Sequence, residues 1–127
     1  MRALVIDDSR TMRRIVASVL EPLGFEVVQA GDGQEALDVL EQGVEVDLAC
    51  VDWNMPVMDG LTFVTRVRAR REWRDVTLMM VTTESEHGQI VRALAAGAHE
   101  YVIKPFTPEI IRGKLELLGL VRAGQTA

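Results

Sequence analysis

Five side chains in this sequence carry most of its potential chemistry: Asp7, Asp8, Asp52, Thr82 and Lys104. Each stands at or just past the end of a short strand-like run. Ala3 to Ile6 precedes the first pair, Leu48 to Val51 precedes Asp52, Val76 to Val81 precedes Thr82, and Glu100 to Ile103 precedes Lys104. Three carboxylates drawn to one place repel, and something must offset them. A hard divalent cation held by oxygen ligands is the natural answer, and two carboxylate sources with waters and a backbone carbonyl suit Mg²⁺. Lys104 brings a second positive charge, and Thr82 brings a hydroxyl donor. A carboxylate flanked in this way is equipped to attack phosphorus, because the cations neutralise charge that develops on the phosphoryl oxygens. An aspartate can then carry the phosphoryl group covalently. Taken singly, each residue has a plainer role: Asp7 or Asp8 could cap a helix, Thr82 could be a strand residue, and Lys104 could be solvated. Their joint placement argues for a site.

The elements that must position these groups follow from hydrophobic spacing. After the first strand, Asp7-Asp8-Ser9 can cap a helix whose apolar residues fall at Met12, Ile15, Val16, Val19, Leu20 and Leu23. That is the spacing of one helix face, with Arg13 and Arg14 off it and Gly24 as the stop. Phe25 to Ala30 reads as a second strand. Asp32-Gly33 opens a second helix through Ala36, Leu37 and Leu40, ended by Gly43. The third strand, 48–51, is a continuous apolar run, and Asp59-Gly60 starts a helix from Leu61 to about Arg71. Val76 to Val81 is the fourth strand. Glu86 to Ala96 is helical, with Ile90, Val91 and Leu94 apolar and Gly97 as its stop. Glu100 to Ile103 is the fifth strand, and Pro108 begins a last helix to about Leu118. Val121 to Ala127 reads as a frayed tail. Five strands alternating with five helices imply an α/β fold, a parallel sheet with helices on both faces. Right-handed crossovers put all strand carboxyl ends on one edge, where open sheets of this kind bind ligands.

Length and composition bound the reading. The chain has 127 residues, enough for one domain with a real core, and 48% are hydrophobic. Its net charge of -5 lacks the basic footprint of a nucleic-acid binder. No apolar run approaches the roughly 18 residues needed to span a membrane, and the N-terminal apolar segment is too short for a signal peptide, so a cytoplasmic protein is expected. The single cysteine, Cys50, excludes an internal disulfide and reads as a small core residue.

Five fragments in order carry a resemblance: Asp7-Asp8-Ser-Arg-Thr-Met-Arg-Arg-Ile-Val, Ala30-Gly-Asp-Gly-Gln-Glu-Ala-Leu, Asp52-Trp-Asn-Met-Pro-Val-Met-Asp-Gly, Met80-Val-Thr-Thr-Glu and Gly97-Ala-His-Glu-Tyr-Val-Ile-Lys-Pro-Phe. Over residues 3–118 the chain resembles the response-regulator receiver domain, most closely its stand-alone CheY-like chemotaxis type. The resemblance implies a flavodoxin-like (β/α)5 sheet of order 2-1-3-4-5 and a single receiver domain over residues 1–127. It implies a response regulator of two-component signalling rather than an enzyme in the ordinary sense, one that catalyses only its own phosphorylation and dephosphorylation. Asp52 matches the phosphoryl acceptor, Asp8 a direct Mg²⁺ ligand, and Asp7 a residue that supports the metal largely through water. Asn54 matches the position whose backbone carbonyl joins the metal site, while Lys104 and Thr82 match the groups that meet the phosphoryl oxygens. Tyr101 matches an aromatic switch that follows the threonine inward. The side chains of Asn54 and Glu84 match positions that tune dephosphorylation, and Lys104-Pro105 matches a cis peptide bond. The implied partners are a sensor histidine kinase, a phosphatase, and a target on the surface of the fourth helix, fifth strand and fifth helix, with the flagellar motor switch as a candidate.

The sequence departs from the chemotaxis type at Thr83, where a small alanine is common, and at Glu86-His87-Gly88, where the enteric type has lysines. Receiver chemistry is therefore more firmly implied than motor binding. His87 and His99 read as surface residues. Three other readings remain open. Gly31-Asp-Gly33-Gln-Glu-Ala36 fits a dinucleotide-binding fingerprint, although it follows the second strand. A phosphatase with an aspartate nucleophile would need an acid two residues on, where Asn54 stands. Within the family, a phosphorelay intermediate or phosphate sink would use the same residues.

Overall fold

The structure is a computed structural model that describes residues 1–122. Five parallel strands, β1 (Arg2–Ile6), β2 (Glu26–Ala30), β3 (Leu48–Val51), β4 (Thr77–Thr82) and β5 (Glu100–Ile103), form one sheet in the order β2-β1-β3-β4-β5. The helices are α1 (Arg10–Leu20), α2 (Gly33–Glu41), α3 (Gly60–Arg68), α4 (His87–Ala96) and α5 (Pro108–Leu117). The expected α/β order 2-1-3-4-5 is therefore observed.

Strand alternation divides the core in two. Leu4, Ile6, Ala49, Val51, Leu78 and Met80 point to one face and pack against α2, α3 and α4. Ala3, Val5, Leu48, Cys50, Met79 and Val81 point to the other and pack against α1 and α5. Both faces are thus covered, which is why β3 is apolar at every position. Burial pushes the Cys50 thiol up to about 12, so this cysteine is a packed, unreactive core group.

The starts of α1, α2 and α3 follow the expected caps, and α5 adds a cap at Thr107. Ser9, Asp32, Asp59 and Thr107 each accept a hydrogen bond from the backbone N–H three residues on. Several boundaries differ from expectation. The α1 helix ends at Leu20, and Glu21–Leu23 tightens into a 3-10 turn before Gly24, whose φ is +99°. The α3 helix stops at Arg68 rather than near Arg71, and Arg71–Trp73 is a separate 3-10 turn that buries Trp73. The expected frayed tail is corrected at its start: Val121 is buried, with Leu118 and Leu120 partly buried, on the α1 and α5 side, because the chain folds back there after Gly119. Residues 123–127 of that tail lie outside the described residues. No helix among the described residues is long and apolar enough to cross a membrane.

Candidate functional site at the carboxyl edge of the sheet

The carboxyl ends of β1 and β3 are adjacent, with Ile6 registered opposite Val51. The next residue of each strand is an aspartate. Carboxylate oxygens of Asp7, Asp8 and Asp52 lie within 4.8 Å of one another. Asp7 and Asp52 are buried, whereas Asp8 is exposed. Lys104 arrives from the end of β5, and its Nζ donates to Asp7 Oδ2 at 2.7 Å and lies 3.6 Å from Asp52 Oδ2. One ammonium therefore meets two of the three clustered carboxylates. The donor set is all oxygen, clustered and short of positive charge, which fits a hard divalent cation. The acidic triad could hold a metal ion and is consistent with the metal site typical of receivers.

Asp52 is held in a mixed environment. Its Oδ1 accepts from the Trp53 N–H at 2.8 Å. Burial raises its pKa, against the pull of the Lys104 ammonium, the Thr82 hydroxyl and the Trp53 N–H; the Asp7 charge raises it further. The backbone beneath it is fixed by Gly60, whose N–H donates to the Trp53 carbonyl at 2.8 Å. A Cβ at Gly60 would overlap the Asp52 carbonyl oxygen, so only glycine lets the start of α3 approach the site this closely.

The other expected site residues are brought to the same edge. Thr82 is fully buried, and its Oγ1 accepts from the Glu84 N–H at 3.2 Å. Tyr101 lies with its ring in the core and its hydroxyl donating to the Glu84 carbonyl at 2.6 Å. Thr82 and Tyr101 thus grip the same residue, Glu84, from two strands. Asn54 and Thr83 are exposed, and Glu84 is half-buried. The Lys104-Pro105 bond is cis.

One residue of this edge was not anticipated. Arg13, set aside as off the apolar face of α1, donates from Nη1 to the Asp7 carbonyl at 2.7 Å and from Nε to Gln29 Oε1 at 3.1 Å. It ties α1 and β2 to the backbone that carries two of the three carboxylates. The only signal available to sequence reasoning was its distance of six residues from Asp7, about a turn and a half of helix.

The start of α2 offers no place for a dinucleotide. The Gly33 N–H donates to the Met58 carbonyl at 3.1 Å, and a Cβ at Gly33 would meet the Met58 side chain. Asp32 serves as the cap of α2, its Oδ1 accepting from Glu35 N–H at 2.8 Å. Met58 occupies the space a pyrophosphate would need, so the fingerprint reading is set aside.

Residues 3–116 match the response regulator receiver domain family. A CheY homologue of Campylobacter jejuni is 45% identical over 117 residues, 91% of this chain and 90% of that protein. Chemotaxis protein CheY1 of Helicobacter pylori strain J99 is 42% identical over 119 residues, 93% of this chain and 96% of that protein. The solved structure of Vibrio cholerae chemotaxis protein CheY4 superposes with a TM-score of 0.83 at 36% identity, covering 91% of this chain and 96% of the other. With its acidic triad at the end of β1 and β3, the chain belongs to the response regulator receiver domain family, as a CheY-like signalling protein of the chemotaxis type rather than a conventional enzyme.

Proposed function

We propose that Asp52 accepts a phosphoryl group from a phosphohistidine on a partner kinase and that the event is passed to a target through the α4–β5–α5 surface. The observation that carries this reading is the position of Lys104 Nζ, bonded to Asp7 and 3.6 Å from Asp52 within a cluster of three carboxylates. In the step, an Asp52 carboxylate oxygen forms a bond to phosphorus, the phosphorus–nitrogen bond breaks, and the electron pair returns to the histidine nitrogen, which takes up a proton. A bound divalent cation, Mg²⁺ in this reading, would be held by Asp8, Asp52 and the Asn54 backbone carbonyl, with Asp7 behind it, and would supply charge neutralisation at the phosphoryl oxygens. Lys104 supplies the same service from the opposite side. Asn54 and Glu84 flank the acceptor and would orient the water that later removes the phosphoryl group.

The relay to the surface follows from shared bonds. Drawing the Thr82 hydroxyl toward a phosphoryl oxygen removes its Oγ1 from the Glu84 N–H. Glu84 also anchors Tyr101 through its carbonyl, so the β4–α4 loop and the aromatic ring respond together. Tyr101 and Ile103 lie on the same face of β5, and exposed Val91, Leu94, Ile103 and Ile110 offer apolar contacts across α4, β5 and α5. A local charge change then biases a two-state element that a target reads. The full reading is a single receiver domain over residues 1–127, with its core at 3–118, working in the cytoplasm with a kinase, a target and a phosphatase.

The test is an intact mass after incubation with acetyl phosphate and Mg²⁺, beside Asp52→Ala and a chelator control. One added phosphoryl group that requires both Asp52 and the cation is the expected result. A folded protein that neither gains the adduct nor binds beryllofluoride would refute the reading.

A further inference from the structure

Arg13 stands near the amino end of α1, where a helix disfavours positive charge, and the first turn of α1 carries no acid to offset it. The helix itself therefore draws no electrostatic benefit from this arginine. Its half-buried side chain makes two bonds, from Nη1 to the Asp7 carbonyl at 2.7 Å and from Nε to Gln29 Oε1 at 3.1 Å. Both acceptors are neutral, and no ion pair joins Arg13 to a carboxylate among the described residues. A guanidinium that meets a carbonyl this closely makes one of the stronger hydrogen bonds available to a protein.

The acceptor of the shorter bond says what this serves. The Asp7 carbonyl and the Asp8 N–H belong to one planar peptide unit, so holding that oxygen sets the plane from which the Asp8 side chain departs. The two aspartates are anchored very differently. Asp7 is buried, its N–H donates to the Ala30 carbonyl at 3.1 Å, and its carboxylate accepts from the Ser9 N–H at 2.9 Å and from Lys104 Nζ at 2.7 Å. Asp8 is exposed and lies past the end of β1, and no hydrogen bond or ion pair holds its carboxylate among the described residues. Yet that carboxylate comes within 4.8 Å of those of Asp7 and Asp52. Its placement is left to the backbone, and Arg13 is the side chain that grips the backbone between the two aspartates. Outer groups that orient metal ligands are worth roughly ten- to a hundredfold in metal affinity. The charge of Arg13 works the other way, since a guanidinium beside a cation site repels the ion. The sign of its effect on cation binding therefore separates positioning from charge.

We propose that Arg13 is a positioning residue for the divalent cation, fixing the Asp7–Asp8 peptide so that Asp8 presents its carboxylate beside Asp52. This rests on the reading of the triad as the cation site that serves Asp52. The experiment titrates Mg²⁺ into the folded chain by calorimetry. It compares the unaltered chain with Arg13→Met, which keeps the apolar stem and loses both donors, and with Arg13→Lys, which keeps the charge and a single donor nitrogen. The expected result is a dissociation constant for Mg²⁺ about tenfold higher in Arg13→Met and about threefold higher in Arg13→Lys. Labelling of Asp52 by acetyl phosphate in Arg13→Met should slow at limiting Mg²⁺ and return to within about twofold of the unaltered chain at saturating Mg²⁺. An unchanged dissociation constant in folded Arg13→Met overturns the proposal and leaves Arg13 as a tie between α1 and β2. A lower one also overturns it, because charge would then outweigh positioning. Labelling that stays slow at saturating Mg²⁺ overturns it too, by placing Arg13 in the transfer step. Where Arg13→Met does not fold, the same readings on Arg13→Lys decide. Failure of the unaltered chain to bind Mg²⁺ would instead overturn the reading beneath it.

Discussion

At the carboxyl edge of the sheet, three clustered carboxylates have one ammonium, in contact with two of them; at the amino edge, one guanidinium is matched to three backbone carbonyls. Arg68, at the end of α3, donates from Nε to the Gly97 carbonyl at 3.0 Å, from Nη1 to the Arg74 carbonyl at 3.2 Å and from Nη2 to the Val76 carbonyl at 2.8 Å. The same Nη2 lies 3.0 Å from His99 Nδ1, which accepts from the Leu78 N–H at 3.1 Å. These bonds stitch α3, the 71–73 turn, β4 and the turn into β5 together. Gly97 makes room for this, because a Cβ there would strike the Arg68 stem. The amino edge is electrically finished. The carboxyl edge is left short of positive charge, and that shortage is what a cation and a phosphoryl group can act on. Stability and function occupy opposite ends of the same strands.

The sharpest way to break this division is Arg68→Ala. It leaves three carbonyls without their donor, so it should cost ~2–3 kcal/mol and lower the melting temperature by roughly 8–12 °C, while labelling of Asp52 at 20 °C remains. Loss of labelling in a folded variant would show that the two edges are coupled. Next in size is Mg²⁺. At a hundred times its dissociation constant it should stabilise the chain by about 2.7 kcal/mol, read as a rise in melting temperature that Asp8→Ala removes. No rise would mean that Lys104 alone satisfies the carboxylates. Third, Asp52→Asn in the absence of divalent cations should raise the melting temperature at pH 7 by about 3–5 °C, the scale of 1 kcal/mol for a chain of this length. The sign follows from the raised pKa: the folded state holds the Asp52 proton more tightly than the unfolded state, so its ionisation at neutral pH works against folding.

The smallest effect belongs to the amino edge. Burial, and then the Arg68 charge, lower the His99 pKa below its ordinary 6.5. The unfolded chain therefore binds the proton first, and the stability contributed at this residue is complete above pH 6.5 and lost as pH falls through the depressed folded value. His99→Gln should flatten the fall in melting temperature between pH 7.5 and 5.5 by less than about 3 °C, under ~1 kcal/mol. An unchanged pH profile in the variant would remove His99 from the account of that edge.

The division also explains what was legible in the sequence. Asp7, Asp8, Asp52, Thr82 and Lys104 could be found because each terminates a strand, and strand ends are marked by where apolar runs stop. The two-sided sheet was legible because β3 and β4 are apolar at consecutive positions. Arg68 was not, since its partners are backbone carbonyls, which every residue possesses and no sequence distinguishes. Arg13 was hidden for the same reason, its key acceptor being the Asp7 carbonyl. Trp73 sits in a run of charged residues that looks like solvated surface, yet its ring is buried beneath Arg70, whose guanidinium carbon lies 4.3 Å from the ring centroid. Val121 escaped because a lone apolar residue past a helix has no period to betray it. The roles assigned to Asn54, Glu84 and Tyr101 came from resemblance, and the Tyr101 hydroxyl on the Glu84 carbonyl supplies a physical link between two of them.

The bond between Lys104 and Asp7 joins residues 97 apart in sequence. During synthesis, β1 and β3 can pair once the first half of the chain has emerged, and their aspartates then stand together with no lysine near them. The lysine is delivered only when the last strand is laid at the edge of the sheet. An unfinished chain on the ribosome therefore holds its paired aspartates without the ammonium that offsets them until nearly all of it has been made.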